Sequence, residues 1–358
     1  MSVAFDASRT CRTVVMRSMT YFGSLRVVRL VDDGCALLRR EAMPTPSISV
    51  VIPAYNAEHT IRRAIDSILD QQYPASQIIV VDDGSDRSLQ PFLQEYGSTV
   101  TLLRQHNAHA AAARNTGIDH ANGQWIGFLD ADDYWESEKL LKQVEIINRH
   151  PEVALIAGRH FLHAPGDIRQ LSRNRKRAWF DRVVQRSGPN AFLLATMIWT
   201  GMVLVKRSVL DEQRFVSGLE PAEDRDLWFR LAANHSIYLM SQPLATAVLE
   251  PNGISRSDIH HDCTKMLEVI ERHHDAIGWP WRSIWQSYVR YRWAAMETSP
   301  RSALPILIRS IATWPAPYFG LPAMQPLGRL RRLITLLRTP WHEKRALESR
   351  PSKRRAAA

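Results

Sequence analysis

Short apolar runs rich in β-branched residues alternate with segments of helical periodicity between residues 48 and 157. The runs, each four or five residues long, are Ile48–Ile52, Ile78–Val81, Val100–Leu103, Trp125–Leu129 and Val153–Ala157. Apolar residues at helical spacing fill the intervals, over residues 57–71, 89–96, 108–120 and 136–150. Continuous apolar runs of this length are typical of strands buried on both faces. The alternation therefore predicts an α/β fold, with a Rossmann-like, mostly parallel sheet flanked by helices.

The alternation ends near residue 160, and the rest of the chain is less regular. Strands are predicted at 199–205 and 237–240 and a helix at 222–233, while the very basic segment 169–186 is interpreted as a loop or an exposed helix. Residues 44–257 are thus predicted to form the main domain, followed by a helical, basic C-terminal region over 258–358. Residues 1–43 form an N-terminal extension before this domain, and we expect Met43 to be the true start, with residues 1–42 lying upstream of it. The alternative is a short N-terminal helix docked on the core.

The positive charge is concentrated at the C-terminal end. The chain carries a formal charge of +10, and residues 276–358 contain 15 Lys or Arg against 3 Asp or Glu. This predicts contact with an anionic surface, or else a solubilising tail. No nucleic-acid-binding motif accompanies the charge, so a membrane surface is favoured over nucleic acid.

The segment Gly328–Arg338 has its leucines and isoleucine on one helical face, which is typical of an interfacial amphipathic helix. The alternative is a terminal helix packed on the main domain. No apolar stretch is long enough to cross a bilayer, and three widely spaced cysteines form no disulfide or zinc pattern. These features predict a cytoplasmic protein, placed at the inner face of the plasma membrane if the amphipathic helix binds lipid.

Polar clusters follow three of the predicted strands. They are Pro53-Ala54-Tyr55-Asn56, Asp82-Asp83-Gly84-Ser85 and Asp130-Ala131-Asp132-Asp133. In an open parallel sheet, ligands bind beyond the carboxyl ends of the strands, so one ligand could contact all three clusters. Each cluster alone is also explained as an ordinary turn.

Asp130 and Asp132 form a DXD triplet directly after a strand. Alternate residues of an extended segment project to one side, so the two carboxylates can share one divalent cation. Mg²⁺ and Mn²⁺ prefer such oxygen ligands and bridge to substrate phosphates. The alternative is a solvated acidic loop. Arg114, in the helix before this strand, could pair with a phosphate or with one of the aspartates, or form a surface salt bridge.

A second acidic cluster, Glu220, Glu223, Asp224 and Asp226, lies around the start of the predicted helix at 222–233. Acidic residues at a helix N-terminus are favoured by the helix dipole. Four acids within seven residues exceed what capping needs, so we interpret one of them as a general base.

These motifs, taken in order, resemble family 2 glycosyltransferases. The matching segments are SVVIPAYN at 49–56, IVVDDGS at 79–85, ARNTGI at 113–118, FLDADD at 128–133 and EDRDLWFRL at 223–231. The resemblance covers about residues 48–250 and implies a GT-A fold, a nucleotide-diphosphate sugar donor and inversion at the anomeric carbon.

The resemblance also implies residue roles. Asp224 would be the catalytic base with Glu223 in support, Asp132 and Asp130 would hold Mn²⁺ or Mg²⁺, and the donor would be bound by Pro53, Tyr55, Glu58, Asp82, Asp83, Arg114 and Asp130. One departure from the family pattern is His109, which stands where a glycine is usual. It puts the fine detail of donor binding in doubt.

The sequence therefore predicts an inverting glycosyltransferase that moves a sugar, most simply from a UDP-sugar, to an acceptor hydroxyl of a glycan or lipid-linked glycan. Surface polysaccharide synthesis is the expected setting. The alternatives are a non-catalytic nucleotide-sugar-binding protein and a sugar nucleotidyltransferase. The latter usually has a glycine-rich basic loop after the first strand, where this chain has Pro53-Ala54-Tyr55-Asn56.

Overall fold

The protein is described from a computed structural model, covering residues 25–32, 35–42, 45–164, 166, 169–172, 179–184, 188–249, 258–297, 299–316 and 327–338. The chain divides into two compact units, residues 1–45 and 46–358. In the first unit, β1 (Leu25–Asp32) and β2 (Cys35–Ala42) pair as an antiparallel hairpin. The sequence predicted neither strand, because the segment shows no alternation of apolar and polar residues.

The second unit is built on twelve strands among its described residues, namely β3 (Ile48–Ala54), β4 (Gln77–Asp82), β5 (Val100–Arg104), β6 (Trp125–Phe128), β7 (Tyr134–Trp135), β8 (Val153–Gly158), β9 (Phe161–His163), β10 (Gln170–Leu171), β11 (Arg182–Val184), β12 (Leu204–Lys206), β13 (Ser236–Met240) and β14 (Ala245–Val248). Eight of them form the central sheet, in the order β11-β13-β8-β12-β6-β3-β4-β5. The other four form a small sheet, in the order β10-β9-β14-β7.

The central sheet is mostly parallel, as predicted. β6, β3, β4 and β5 are parallel neighbours, and so are β8 and β13. Strand β12 lies antiparallel between β6 and β8, so those two strands run in the same direction. The predicted strand at 199–205 is in fact a 3₁₀ turn, Thr200–Met202, followed by this short strand.

The helices described in the second unit are α1 (Ile61–Leu69), α2 (Gln90–Leu93), α3 (His109–His120), α4 (Lys139–Arg149), α5 (Gly188–Ala195), α6 (Arg207–Glu212), α7 (Glu223–Asn234), α8 (Ile259–Arg272), α9 (His274–Ile277), α10 (Trp281–Met296), α11 (Pro300–Thr313) and α12 (Gly328–Arg338). They cover both faces of the sheet, because alternate strand residues point to opposite sides. Val51, Ile79 and Val81 belong to one buried cluster, and Val50 and Val80 belong to the other.

Helix α3 packs unusually close to the sheet. A Cβ atom at Gly117 would lie 2.2 Å from Cγ1 of Val51 on β3, so the glycine is required by the contact itself. This helix carries Arg114, and the close approach brings that side chain to the carboxyl ends of the strands.

The first C-terminal helices share the core of the sheet. Cys263, Met266 and Val269 of α8 and Trp285 of α10 are buried in the same cluster as the strands, and the rings of Trp285 and Phe192 are 4.9 Å apart. Residues on both sides of the predicted boundary at 257/258 therefore belong to one core. The helical character predicted beyond this boundary is present in the described residues. None of these helices combines the length and apolar character that crossing a membrane requires.

Buried polar contacts fasten α12 to the α10–α11 pair. Ser287 Oγ donates to the carbonyl of Ser310 at 2.6 Å, and Ser310 Oγ donates to the carbonyl of Ser287 at 2.7 Å. Arg329, which is buried, donates to Ser287 Oγ at 3.0 Å and to the carbonyls of Trp314 and Ala316. These carbonyls follow the C-terminus of α11, where the helix dipole favours a cation.

We predict that Arg329→Met loosens α12, because the carbonyls now paired with the guanidinium would be left without donors. Each buried unpaired group costs about 1–3 kcal/mol, so amide hydrogen exchange within α12 should accelerate by at least tenfold. Arg331→Met, at an exposed position of the same helix, is the matched control. Equal exchange rates in the two variants would contradict the anchoring role.

Candidate functional site

The three predicted polar clusters lie at neighbouring positions of one sheet edge. Strands β6, β3 and β4 are adjacent, and the register pairs Ala54 with Asp82 and Val51 with Phe128. The carboxyl ends of these parallel strands meet at the same edge. The edge continues across the start of β12 to the end of β8, since β12 runs in the opposite direction.

Two aspartates at the end of β4 are buried and hold the loop that precedes α3. Asp82 accepts a hydrogen bond from Ser85 N at 2.9 Å, and its other oxygen lies 3.5 Å from Arg104 Nη1. Asp83 accepts from Gln105 Nε2 at 2.7 Å and from Ala108 N at 2.9 Å. Both carboxylates therefore fix the backbone around the end of β4.

The loop after β3 lies beside this segment. Asn56 adopts a left-handed backbone with φ of 51°, and its N–H donates to Ser85 Oγ at 2.9 Å. Beside it, Tyr55 is 47% exposed, an unusual exposure for a large ring next to a buried strand. Pro53, near the end of β3, and Glu58, in the loop, are both half-buried. A planar ligand could stack on the exposed tyrosine.

Arg114 lies at the centre of the site and joins its two acidic motifs. Its Nη2 donates to Asp130 at 2.8 Å and its Nη1 donates to Glu223 at 2.7 Å. The guanidinium is buried and lies 5.4 Å from the centre of the Phe215 ring. Burial alone would lower the pKa of Arg114, but the charges of Asp130 and Glu223 outweigh burial and raise it. Arg114 pairs with an aspartate, one of the expected partners, in a buried network rather than at the surface.

Glu223 is as deeply buried as Arg114. Its Oε1 accepts from Arg114, and its Oε2 is buried without a hydrogen-bond donor among the described residues. Burial raises the pKa of Glu223 above its ordinary value, even though the nearby Arg114 charge opposes the rise. The negative charge of Glu223 is therefore balanced by one cation, the guanidinium of Arg114.

The DXD segment concentrates negative charge just beyond β6. Asp130 and Asp132 are half-buried, and the backbone carbonyl of Asp132 accepts from Arg63 on α1. The next residue, Asp133, is buried and accepts from Val248 N at 2.7 Å. Burial, followed by the charges of Asp130 and Asp132, raises the pKa of Asp133 well above its ordinary value. A cation bound beside these carboxylates would relieve their repulsion.

A divalent cation fits this segment only with help from a ligand. Within the described part of the chain, no group of three or more His, Cys, Asp or Glu side chains is arranged to hold a metal. One oxygen of Asp130 is already paired with Arg114, so Asp130 would offer a cation only its other carboxylate oxygen. Mg²⁺ and Mn²⁺ commonly bind through one or two carboxylates plus substrate phosphates, so the donor set suits a metal that arrives with a diphosphate.

Asp224, the second residue of α7, belongs to a short hydrogen-bonded chain. Its Oδ2 is 3.3 Å from Thr200 Oγ1, and Trp228 Nε1 is also 3.3 Å from Thr200 Oγ1. An indole N–H can only donate, so the hydroxyl accepts from Trp228 and its own hydrogen is directed to Asp224. The half-buried carboxylate is therefore held in place by a buried threonine.

The second acidic cluster is divided between two parts of the molecule. Glu223 and Asp224 belong to the site, whereas Asp226 is fully buried and is bound by His273 at 2.8 Å and by Arg230 at 2.9 Å. Burial would raise the pKa of Asp226, but these two partners outweigh it and lower the pKa. The acidic residues beyond those needed to cap the helix therefore have two roles. Glu223 and Asp224 belong to the site, and Asp226 takes part in the packing of α7.

His109, the departure from the family pattern, begins α3 with φ of 68°. This is the left-handed region, which glycine adopts freely and a side chain occupies at a cost of about 1–3 kcal/mol. This backbone conformation explains why a glycine is usual at this position in the family. Here the histidine side chain is exposed beside the loop held by Asp83.

Several residues of the site carry no recognisable sequence signal. Thr200, Arg63 and Gln105 all contact the acidic segments through partners distant in sequence. Thr200 in particular lies in a segment predicted as a strand, where a threonine is unremarkable.

Comparison with known proteins bears directly on this site. Residues 49–214 match "Glycosyl transferase family 2", a range that includes the end of every strand described in the second unit except β13 and β14. An uncharacterized glycosyltransferase of Haemophilus influenzae is 31% identical over 177 residues, which are 48% of this chain and 67% of that protein.

Two further proteins are similar over different lengths. The UDP-Glc:alpha-D-GlcNAc-diphosphoundecaprenol beta-1,3-glucosyltransferase WfgD of Escherichia coli is 41% identical over 102 residues, 28% of this chain and 40% of that protein. The crystal structure of S. aureus TarS 1-349 in complex with UDP-GlcNAc has a TM-score of 0.54 and 18% identity, covering 84% of this chain and 88% of that one.

The sequence identity and the fraction of each protein that is covered determine what each similarity establishes. The chain spans less than two thirds of several curated relatives, with 42%, 61% and 40% of their lengths matched in three of them. The likeness to TarS, at 18% identity, establishes the fold. Taken with the family match and the Haemophilus relative, it leads to one conclusion: this chain belongs to glycosyltransferase family 2 and has the GT-A fold of that family of enzymes.

Proposed function

We propose that the protein transfers a sugar, with inversion, from a UDP-sugar to an acceptor hydroxyl in surface polysaccharide or lipid-linked glycan synthesis. The observation that carries the proposal is the buried pairing of Arg114 with both Asp130 and Glu223. It holds the predicted donor motif and the predicted base motif at fixed positions in one network. TarS, which has the same fold, was crystallised with UDP and with UDP-GlcNAc, and this supports the choice of nucleotide.

The donor half of the site would lie along β4, β3 and β6. Tyr55 would stack on the uracil, while Pro53, Glu58, Asp82 and Asp83 would shape the pocket for base and ribose. Asp130 would contact the sugar or the ribose, and Arg114 would hold Asp130 in place. Asp132, with Asp130, would hold Mn²⁺ or Mg²⁺, which when bound supplies positive charge for the departing diphosphate.

Asp224 would act as the general base. Its carboxylate takes the proton of the acceptor hydroxyl while that oxygen attacks the anomeric carbon from the side opposite the nucleotide. The Thr200 hydroxyl would orient the carboxylate. General-base catalysis contributes typically about 10²–10⁴-fold to a rate, so the position of this one group matters greatly.

The first test compares two aspartate variants in calorimetric titrations of UDP, with and without Mn²⁺, and in release of UDP from UDP-glucose and UDP-N-acetylglucosamine. We predict that Asp132→Asn weakens Mn²⁺-dependent UDP binding at least tenfold, because a proposed protein ligand of the metal is lost. Asp224→Asn should bind UDP as the wild type does, yet release it from the sugar donors at least 100-fold more slowly.

The same titrations distinguish the alternatives. UDP binding without turnover by the wild type would favour a non-catalytic nucleotide-sugar-binding protein. Formation of a sugar nucleotide from UTP and a sugar 1-phosphate would favour a nucleotidyltransferase. Wild-type affinity and turnover in Asp132→Asn would refute the metal assignment.

We further propose that the enzyme works at the inner face of the plasma membrane, with α12 contacting anionic lipid. This helix has two apolar faces. Leu336 packs with Ala294, Ala303 and Leu307 in a buried cluster, whereas an exposed stripe is formed by Leu327, Leu330, Ile334 and Leu337, exposed by 50%, 50%, 39% and 64%. The buried face thus corresponds to the alternative of a helix packed on the domain. The exposed face is the one that we propose contacts lipid.

Charge next to the stripe favours a lipid surface over another apolar partner. At about 100° per residue, the four exposed apolar residues span an arc of about 80°, and Arg331 and Arg338 follow directly beside it. Residues 276–358 carry a net charge of +12. Basic residues near an anionic membrane contribute about 1 kcal/mol each. The E. coli relative, named for a diphosphoundecaprenol acceptor, suggests why such a location would serve the reaction.

Co-sedimentation with vesicles of phosphatidylglycerol and phosphatidylcholine tests this surface. We predict that the double variant Leu330→Gln and Ile334→Gln binds at least tenfold more weakly, because two exposed apolar side chains no longer enter the lipid. Leu69→Gln, at a 44% exposed leucine of α1, is the matched control and should bind normally. Failure of the wild type to bind, or equal binding by both variants, would contradict the assignment.

A further inference from the structure

A small cavity lies at the end of β8, outside the donor half of the site. Its volume is about 130 Å³, and its lining includes His160, Ser172, Thr196 and Trp199. Pockets for drug-sized ligands usually measure about 300–1,000 Å³, so this cavity has room for one small ring rather than an extended molecule. None of these four residues takes part in the contacts of Arg114, Asp132 or Asp224 described above.

An aromatic pair forms one side of the cavity. The rings of His160 and Trp199 are 4.3 Å apart and tilted by 36°. An indole face offers a broad apolar surface, while the polar groups beside it can meet hydroxyls. Ser172, 9% exposed, is fixed by accepting a hydrogen bond from His160 N at 3.2 Å.

One ring nitrogen of His160, a residue that lines the cavity, makes no hydrogen bond with the described residues. This atom, Nδ1, is buried. Burial lowers the pKa of His160 to about 4, so the ring is neutral at pH 7 and its nitrogens act as one donor and one acceptor.

The position of the cavity relates it to the base. His160 follows β8 and Trp199 immediately precedes Thr200, the residue that holds Asp224. Along the sheet edge the order is β4, β3, β6, β12, β8. At about 4.8 Å per strand, β8 is about 10 Å from the strand that leads to Asp130 and about 19 Å from the strand that ends in Asp82. The cavity therefore lies along the sheet edge away from the strands of the proposed nucleotide pocket.

We propose that this cavity binds the pyranose ring of the acceptor, with the ring packed on Trp199 and its hydroxyls bonded to the polar side chains of the lining, His160 among them. The proposal rests on the glycosyl-transfer function proposed above and adds where the acceptor is recognised. The single ring bound here is the sugar that accepts the transferred residue. The remainder of the acceptor extends outside the cavity.

Saturation-transfer-difference NMR tests the proposal, because it detects weak binding of single sugars. The probes are methyl α-D-glucopyranoside, methyl α-D-mannopyranoside and methyl N-acetyl-α-D-glucosaminide, each added to the full chain with UDP and Mn²⁺. We predict that at least one binds to the wild type and that His160→Ala weakens this binding at least tenfold. Trp199→Phe, which keeps a ring in the same position, should retain part of the affinity.

His150 supplies the matched control. It precedes the same strand β8 at its other end, and its ring also lies against an aromatic ring, Tyr238 at 5.4 Å. His150→Ala should bind the pyranosides as the wild type does, and UDP titration should give similar affinities for all variants.

The outcomes separate this proposal from the function on which it rests. A wild type that binds UDP but none of the three pyranosides overturns the acceptor subsite alone. Equal loss of pyranoside binding in His150→Ala and His160→Ala also overturns it. A wild type that binds neither UDP nor pyranoside overturns both proposals.

Discussion

The double ion pair of Arg114 is the interaction on which the arrangement of the site depends. A buried guanidinium is costly to desolvate, and here Asp130 and Glu223 compensate it at 2.8 and 2.7 Å. These three residues belong to α3, the end of β6 and the start of α7, which are far apart in sequence. Gly117 allows α3 to approach β3 closely enough to deliver the arginine. Because each carboxylate depends on the same cation, a shift of any one element would expose an uncompensated charge.

Helix α7 is fixed from both sides, and this gives the proposed base its position. Asp226 on the buried side is bound by His273 and Arg230. Thr200 and Arg114 hold Asp224 and Glu223 on the site side. The antiparallel insertion of β12 places the turn with Thr200 at the same edge as the ends of the parallel strands. The C-terminal helices therefore contribute to the site indirectly, by packing the far side of the helix that carries the base.

Local periodicity predicted the strands and helices between residues 48 and 158 apart from β7, because strands such as β3 and β8 are continuous buried runs and helices such as α1 and α4 have one apolar face. The DXD segment could be placed for the same reason. Other features depend on contacts between distant residues, which one sequence does not display. Asp226 and Asp224 look alike in the sequence, and contacts with distant residues distinguish them, such as that of Asp226 with His273, 47 residues away. Thr200 was missed because its role comes from a hydrogen bond to Asp224 rather than from its own segment.

The most direct test of the account measures free energies of unfolding for Arg114→Met, Glu223→Gln and the double variant. Arg114→Met should cost about 3–5 kcal/mol, since it leaves buried carboxylates unpaired. Glu223→Gln should destabilise the wild type, yet be neutral or stabilising in the Arg114→Met background, because it then removes an uncompensated charge. If Glu223→Gln lowers the free energy of unfolding equally in both backgrounds, the two residues are not coupled and the central role of Arg114 is wrong.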